Sequence, residues 1–337
     1  MAAAKKAELL AKCRDGRTDE AFLECLQEVA MGPLSRTPED VEILLAYTQG
    51  AWIADQRKPS AIRARDGARR LIELVPDFAD GYRLLGFASL TRGDYLESFL
   101  ALSAIKTLNN PANFDNFRAM ACLLMSGTSN VAFDLAEERY SFDLTAHNAA
   151  AMESSAFHSV NMLTEWEELQ YLAATLDHSQ IRRIVEVGVL LGNHSAFFLK
   201  EFQPEHLTLI DADIANIPFI ERTVSLNMPA RNCPVRLDCA FVSQGAGKVT
   251  FAGTTVEKRS LSELVSNSVD FLKIDVDGSE EQLLKGAARI IESYKPAVMI
   301  ETTPLTHEAV ISWFNAKGYS ISRVFDHGSY RNTVLLP

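Results

Sequence analysis

A chain of 337 residues with 47% hydrophobic content can bury a sizeable core, and its length favours two domains over one. Its formal net charge of −11, from 33 basic and 44 acidic side chains, argues against a broad nucleic-acid footprint, which needs a basic face. The five cysteines (Cys13, Cys25, Cys122, Cys233 and Cys239) form no CxxC pair and suit neither zinc nor a disulfide framework, so reduced core thiols are expected.

The opening stretch, MAAAKKAELLAKCRDG, mixes charges among its apolar positions and has no signal-peptide core. No apolar run approaches the roughly 20 residues that span a bilayer. Together these features predict a cytoplasmic protein with no membrane span. Over residues 5–30, Leu9, Leu10, Phe22, Leu26 and Val29 read as helix, with a break near Asp15-Gly16. Gly32-Pro33 to Pro38 reads as a turn, and helical patterns then resume with breaks near Pro59, Pro76, Gly93, Pro111 and Gly127. Gly93 and Gly127 stand 34 residues apart, as do Ala64, Ser98 and Ala132 in turn, and Ala68, Leu102 and Ala136. A 34-residue helix–turn–helix period resembles the tetratricopeptide repeat. Residues 79–112 form the best unit, with Tyr82, Leu85-Gly86 and Gly93-Asp94-Tyr95, and with small Gly86 and Ser98 where paired helices would approach. The resemblance covers residues 45–146, and Trp52 and Met120 replace the small residue in the outer units. It implies an all-α repeat domain over 1–146 that can recruit a protein partner.

Residues 147–180 read as a helical linker, where Met152, Phe157, Val160, Leu163, Leu169, Leu172 and Leu176 form a packing stripe. Over 181–337 the rhythm changes to strand–helix alternation. Strands are expected at Arg183–Val187, Leu207–Ile210, 269–274 and 297–300, and helices at 194–202, 216–227, 260–266, 279–293 and 306–317. Residues 235–242 and 248–252 are β-rich and would pair across Gly245-Ala246-Gly247. Tyr319–Phe325 and Arg331–Leu336 would form a terminal hairpin through Asp326-His327-Gly328. Such alternation implies a doubly wound parallel sheet, with an antiparallel strand inserted by the hairpin.

The chemistry-bearing residues fall at predicted strand ends, where open α/β sheets bind ligands. In VEVGVLLG, Gly188 would make a tight turn and Gly192 would let the backbone approach a ligand. Asp211 ends the next strand. An acid about 20 residues beyond a glycine loop can accept both ribose hydroxyls of a nucleotide cofactor. NAD and S-adenosylmethionine both carry those hydroxyls, so Asp211 points to either. In FLKIDVDGSEEQLLKGA, Asp275 and Asp277 follow a strand, Gly278 turns, and a helix opens at Ser279. Ser279 with Gln282 fits a capping box, and Glu280 suits the positive end of that helix. Lys273 points opposite its strand neighbours, as a structural ion pair would. Glu301 ends VMIE. His307 reads as a packed or solvated side chain, and His327 and Tyr330 as turn residues.

The run KIDVDGSE closely resembles the KIDVEGAE signature of FkbM-type methyltransferases, with Asp277 for Glu and Ser279 for Ala. The resemblance spans 183–301 and takes in Glu186, Gly188, Gly192, Asn227 and Glu301. Val189-Leu190 stands where the family has Ala-Asn, Asp211-Ala212 where it has Glu-Pro, and Ser262 where it has Asp. It implies a class I, Rossmann-like methyltransferase domain that uses S-adenosylmethionine. Glu186 would then orient the methionine part through its amino group, and Asp238 and Ala240 would approach adenine. The expected reaction is methyl transfer to a hydroxyl of a sugar, glycan or related metabolite. Asp275, Asp277 and Glu301 would form the acceptor side. Either a carboxylate base or a divalent metal on Asp275 and Glu301 would help remove the hydroxyl proton. An NAD-dependent oxidoreductase shares the loop and Asp211 but shows no Tyr-Lys proton relay. A protein-interaction scaffold with a catalytically weak cofactor domain is the reading from a third class.

Overall fold

The computed structural model describes residues 2–14, 20–55, 62–108, 114–145, 149–229, 233–251, 253–276 and 278–337. The breaks expected at Asp15-Gly16, Pro59 and Pro111, and the acid Asp277, lie outside them. The chain forms two compact units: Met1–Val131 with Leu144–Val160, and Ala132–Asp143 with Asn161–Pro337.

The first unit contains helices α1 (Ala2–Arg14), α2 (Glu20–Ala30), α3 (Pro38–Asp55), α4 (Ile62–Leu74), α5 (Ala79–Arg92), α6 (Tyr95–Thr107) and α7 (Asp115–Met125). From α2 onward each helix packs on the next. Gly86 permits a close approach: a Cβ there would lie 2.5 Å from Leu102 Cδ2 on α6. Arg65 of α4 donates to Glu97 of α6 at 2.6 Å, tying alternate helices together. The helical expectation fails after α7. Strands β1 (Asn130–Leu135) and β2 (Glu138–Asp143) form a hairpin where a third repeat unit was expected. NVAFDL and ERYSFD alternate with a period of two, and Phe133 packs against Tyr140 and Phe142. Helix α8 (Ala149–His158) completes the first unit.

The remaining elements are α9 (Trp166–Thr175), β3 (Arg183–Val187), α10 (Asn193–Glu201), β4 (His206–Asp211), α11 (Ile217–Asn227), β5 (Val235–Cys239), β6 (Phe241–Val242), β7 (Gly247–Phe251) and β8 (Thr254–Arg259). Then come α12 (Leu261–Leu264), β9 (Phe271–Ile274), α13 (Glu280–Tyr294), β10 (Ala297–Thr302), α14 (His307–Ala316), β11 (Ser320–Asp326) and β12 (Arg331–Leu336). Seven strands form one sheet in the order β11-β12-β10-β9-β3-β4-β5. Strands β5 to β10 along that order run parallel, while β12 is antiparallel to both β10 and β11. The β11 ladder shifts register between Ile321 and Arg323. The pairing expected between 235–242 and 248–252 does not occur. β7 pairs antiparallel with β8, Gly253 turning at φ +78°, and β5 joins the main sheet beside β4.

The two sheet faces differ in chemistry. Val185, Val187, Ile210, Leu272, Ile274, Val298 and Ile300 belong to a core with Leu283, Leu284, Val310 and Phe314 of α13 and α14. On the opposite face Phe271 meets Phe198 and Phe202 from the α10 segment, with ring centroids 5.4 and 6.5 Å apart. Above Phe271 that second face turns polar towards the carboxyl ends of the strands. Among the described residues no helix is long and apolar enough to cross a membrane.

Candidate active site

Two polar rows cross the second face. In the lower row Glu186 of β3 is in register with Lys273 of β9. One pleat higher stand Asp211, Gly188, Asp275, Glu301 and Asn332, the last two in register with each other. Strand alternation puts residues two apart on one face, so both rows share it. The sheet therefore brings together Glu186, Gly188, Asp211, Asp275 and Glu301 from five predicted positions.

Gly188 has φ +81° and stitches the loop into the sheet. Its N–H donates to Ile210 O at 2.9 Å, and Asp275 N–H donates to Val187 O at 2.9 Å. A Cβ on Gly188 would lie 1.5 Å from the Asp275 carbonyl oxygen. Glycine is required there because two backbones cross, and the crossing fixes the acid beside the loop. Gly192, at φ +80°, opens α10, and a Cβ on it would face Thr223 Cγ2 at 3.2 Å. Its missing side chain lets α10 pack close to Thr223 of α11. Leu190 between them also adopts a left-handed φ of +57°.

Asp211 is tied into the same loop. Its Oδ2 accepts the Val189 and Leu190 N–H groups at 3.0 and 2.9 Å. Its Oδ1 accepts Asp213 N–H at 2.8 Å and Asn216 Nδ2 at 3.2 Å. Four donors meet the acceptor sites of one carboxylate, so Asp211 braces the loop. Burial raises its carboxyl above the usual range, against the pull of those donors. Asp238 and Ala240 sit on the other face, since Asp238 is in register with Ile210. Asp238 pairs with Arg236 at 2.8 Å, and Ala240 N–H donates to Asp211 O at 3.0 Å. Cys239 is the residue in register with Asp211, and burial with the charges of Asp211 and Asp213 pushes its thiol up.

Glu186 is fully buried. Ser195 donates to its Oε2 at 2.6 Å, while its Oε1 has no hydrogen-bond partner among the described residues. Burial raises its carboxyl, opposed by Lys273, His194 and the Ser195 bond and assisted by Asp275. Lys273 Nζ lies 2.8 Å from Asp275 Oδ2. Burial would lower that ammonium, but the charges of Asp275, Glu186 and Glu165 carry it above its ordinary value.

Glu165 escaped the sequence reading. It precedes α9 with φ +55°, lies 3.0 Å from His194 Nε2, and accepts Asn332 Nδ2 at 2.8 Å. Burial alone would raise its carboxyl, yet His194, Lys273 and Asn332 hold it down to about 2. The terminal hairpin carries more than turn residues. His327 pairs with buried Glu168 and stacks on Tyr330 at 4.5 Å. Burial and the nearby Glu165, Glu301 and Glu168 carboxylates push the Tyr330 hydroxyl above its usual range. No sequence motif marks these groups, because they converge only when β12 inserts beside β10.

The helix-start reading changes as well. Ser279 makes no side-chain cap; its Oγ donates to Val276 O at 2.8 Å, and Glu280 Oε1 accepts Gly278 N–H at 2.6 Å. The capping box occurs at α12, where Glu263 accepts Ser260 N–H at 2.8 Å. His307 is buried and pairs with Thr302 Oγ1 at 2.9 Å. Asn227 clamps the hairpin: its Oδ1 accepts Ser141 N–H at 2.9 Å, and its Nδ2 donates to Ser141 O at 2.7 Å and Thr223 O at 2.8 Å. Among the described residues no group of three or more His, Cys, Asp and Glu side chains is arranged to hold a metal ion. One oxygen of Asp275 already meets Lys273, so among the described residues the metal alternative on Asp275 and Glu301 finds no fitting ligand set.

Residues 236–321 match the family model described as the methyltransferase FkbM domain. The matched stretch contains Lys273 and Asp275, while Glu186, Asp211, Glu165 and Asn332 lie outside it. No curated protein matches the chain. Among solved structures it is similar to the methyltransferase FkbM of Methylobacillus flagellatus KT, at 17% identity and a TM-score of 0.43, over 75% of this chain and 62% of that one. TYW2 of M. jannaschii, solved in complex with AdoMet, aligns at 10% identity and a TM-score of 0.38, over 62% of this chain and 85% of that one. The precorrin-6y C5,15-methyltransferase of Geobacter metallireducens GS-15 aligns at 13% identity and a TM-score of 0.38, over 52% and 91%. The chain spans about three fifths of the Methylobacillus protein's length.

Proposed function

We propose that this protein is an S-adenosylmethionine-dependent O-methyltransferase acting on a hydroxyl of a sugar, glycan or related metabolite. The sheet order and antiparallel terminal hairpin fit a doubly wound, class I methyltransferase layout. The single observation that carries the cofactor assignment is Glu186: a fully buried carboxylate, beside the Gly188 turn, with one oxygen that lacks a partner among the described residues. An acceptor so placed suits a donor such as the ammonium of a methionine moiety. S-adenosylmethionine, when bound, supplies an already activated methyl group, so the protein's task is chiefly alignment. Glu186 would hold the amino group, and the Gly188–Gly192 loop, braced by Asp211, would give the cofactor a fixed edge. On the acceptor side Asp275, aimed by Lys273, would take the hydroxyl proton, and Glu301 would help orient the acceptor. Asp277 is proposed as a further acceptor contact. The helical unit over the first part of the chain is proposed to recruit a partner.

Calorimetry with S-adenosylmethionine, S-adenosylhomocysteine and NAD tests the cofactor. Binding of both sulfur compounds and not NAD is expected, and NAD binding alone would overturn the reading. Transfer of labelled methyl to cell glycans, with Asp275→Asn beside the parent chain, tests the reaction. An undiminished signal in that variant would remove Asp275 as the base.

A further inference from the structure

Lys273 is only 2% exposed in a central strand, and a buried ammonium is retained only where charges compensate it. Three carboxylates do so from three directions. Asp275 follows it on the same strand face at 2.8 Å, Glu186 flanks it in register on β3, and Glu165 approaches from the segment before α9. Two of these belong to opposite halves of the site: Glu186 to the cofactor side and Asp275 to the acceptor side.

We propose that Lys273 is a positioning residue, one buried ammonium that balances Glu186 on the cofactor side while fixing Asp275 on the acceptor side. The inference rests on the cofactor reading above. An ammonium suits this place because it is compact and carries three donors, whereas a guanidinium demands a planar fork. Without it, three carboxylates would face one another beside the His194 ring. Glu186, which has no solvent contact, would be the first to take up a proton, and a neutral Glu186 loses its charge-assisted hold on an ammonium.

The test is calorimetric titration of S-adenosylhomocysteine into the full chain and Lys273→Met between pH 6 and 9. Groups facing Glu186 are Lys273 and Asp275 from the β9 strand end and His194 and Ser195 from α10. At pH 7 the variant should bind at least about tenfold more weakly, the size expected for a lost charged contact. Its affinity should recover as pH rises and Glu186 ionises again, while the parent changes little between pH 7 and 9. Equal affinity, or a loss that is the same at every pH, would make Lys273 a structural ion pair and overturn the inference alone. A parent chain that binds no S-adenosylhomocysteine would overturn the cofactor reading and the inference with it. If Lys273→Met does not fold, Lys273→Met with Glu186→Gln removes the charge imbalance. That double variant should fold and bind weakly at every pH, and parental affinity in it would refute the proposal.

Discussion

Replacing Gly188 by alanine should be the most damaging single-methyl change in the second unit. The added Cβ would sit 1.5 Å from the Asp275 carbonyl oxygen and 2.7 Å from its carbonyl carbon. Ordinary contact needs roughly 3.5 Å, so the crossing backbones must separate by about 2 Å. No rotamer relieves this, because the obstructing atoms are main chain. A non-glycine residue at φ +81° costs about 1–2 kcal/mol, and forced overpacking about 1–3 kcal/mol more. The total, roughly 2–5 kcal/mol, corresponds to a fall of roughly 5–20 °C in thermal midpoint for a unit of this size. Gly192→Ala is the matched control: φ is +80°, but the Cβ meets a threonine methyl at 3.2 Å, so only the backbone cost of about 1–2 kcal/mol applies. Thermal unfolding of both variants, with amide exchange at Asp275 N–H, reads the effect. The reasoning fails if Gly188→Ala melts at or above Gly192→Ala, or if the Asp275 amide keeps its protection.

Three further outcomes are expected. Glu165 falls from an ordinary 4.5 to about 2, which contributes about 3 kcal/mol above pH 4.5 and is lost as pH drops from there towards 2. Urea unfolding of Glu165→Gln should therefore show a deficit of that size at pH 7 that shrinks below pH 4; a constant deficit contradicts it. Asn227→Ala leaves the Ser141 N–H and C=O without their amide partner and should cost about 2–4 kcal/mol in denaturant unfolding; a change under about 1 kcal/mol would show that the clamp is dispensable. Asp238→Asn should alter S-adenosylhomocysteine affinity by less than about twofold, since Asp238 lies on the face away from Glu186; a tenfold loss would return it to the cofactor site.

Much of the sheet could be read from residue order, because VEVG and FLKID are short apolar runs closed by residues that apolar packing does not explain. Lys273 was visible only as a charge pointing away from its strand neighbours. Asp275 follows it two residues on, but Glu186 depends on which strand lies beside β9 and Glu165 on the path of the segment before α9, which local pattern does not encode. Asp238 shows the same gap: strand parity is local, but the face it shares with Asp211 depends on the β4–β5 register, and that register selects Cys239 instead. The loop acid Asp211 stood where expected, yet its donors come half from the Val189-Leu190 turn and half from its own following loop. The hairpin at Asn130–Asp143 was hidden by a longer period running through it, although Phe133, Tyr140 and Phe142 alternate as a strand should. Glu165 sits in a connection with no period at all.

The register shift in β11 bears on how this protein behaves in concentrated solution. β11 is an edge strand, and Ile321 and Val324 are exposed on it. A flat apolar edge would template strand addition from another molecule. The offset between Ile321 and Arg323 interrupts the straight ladder that such growth needs. The Arg323 guanidinium, 5.3 Å from the Phe325 ring centroid, keeps a charge at the same edge. Straightening this strand by deleting Ser322 would expose a continuous β ladder and favour aggregation of folded molecules.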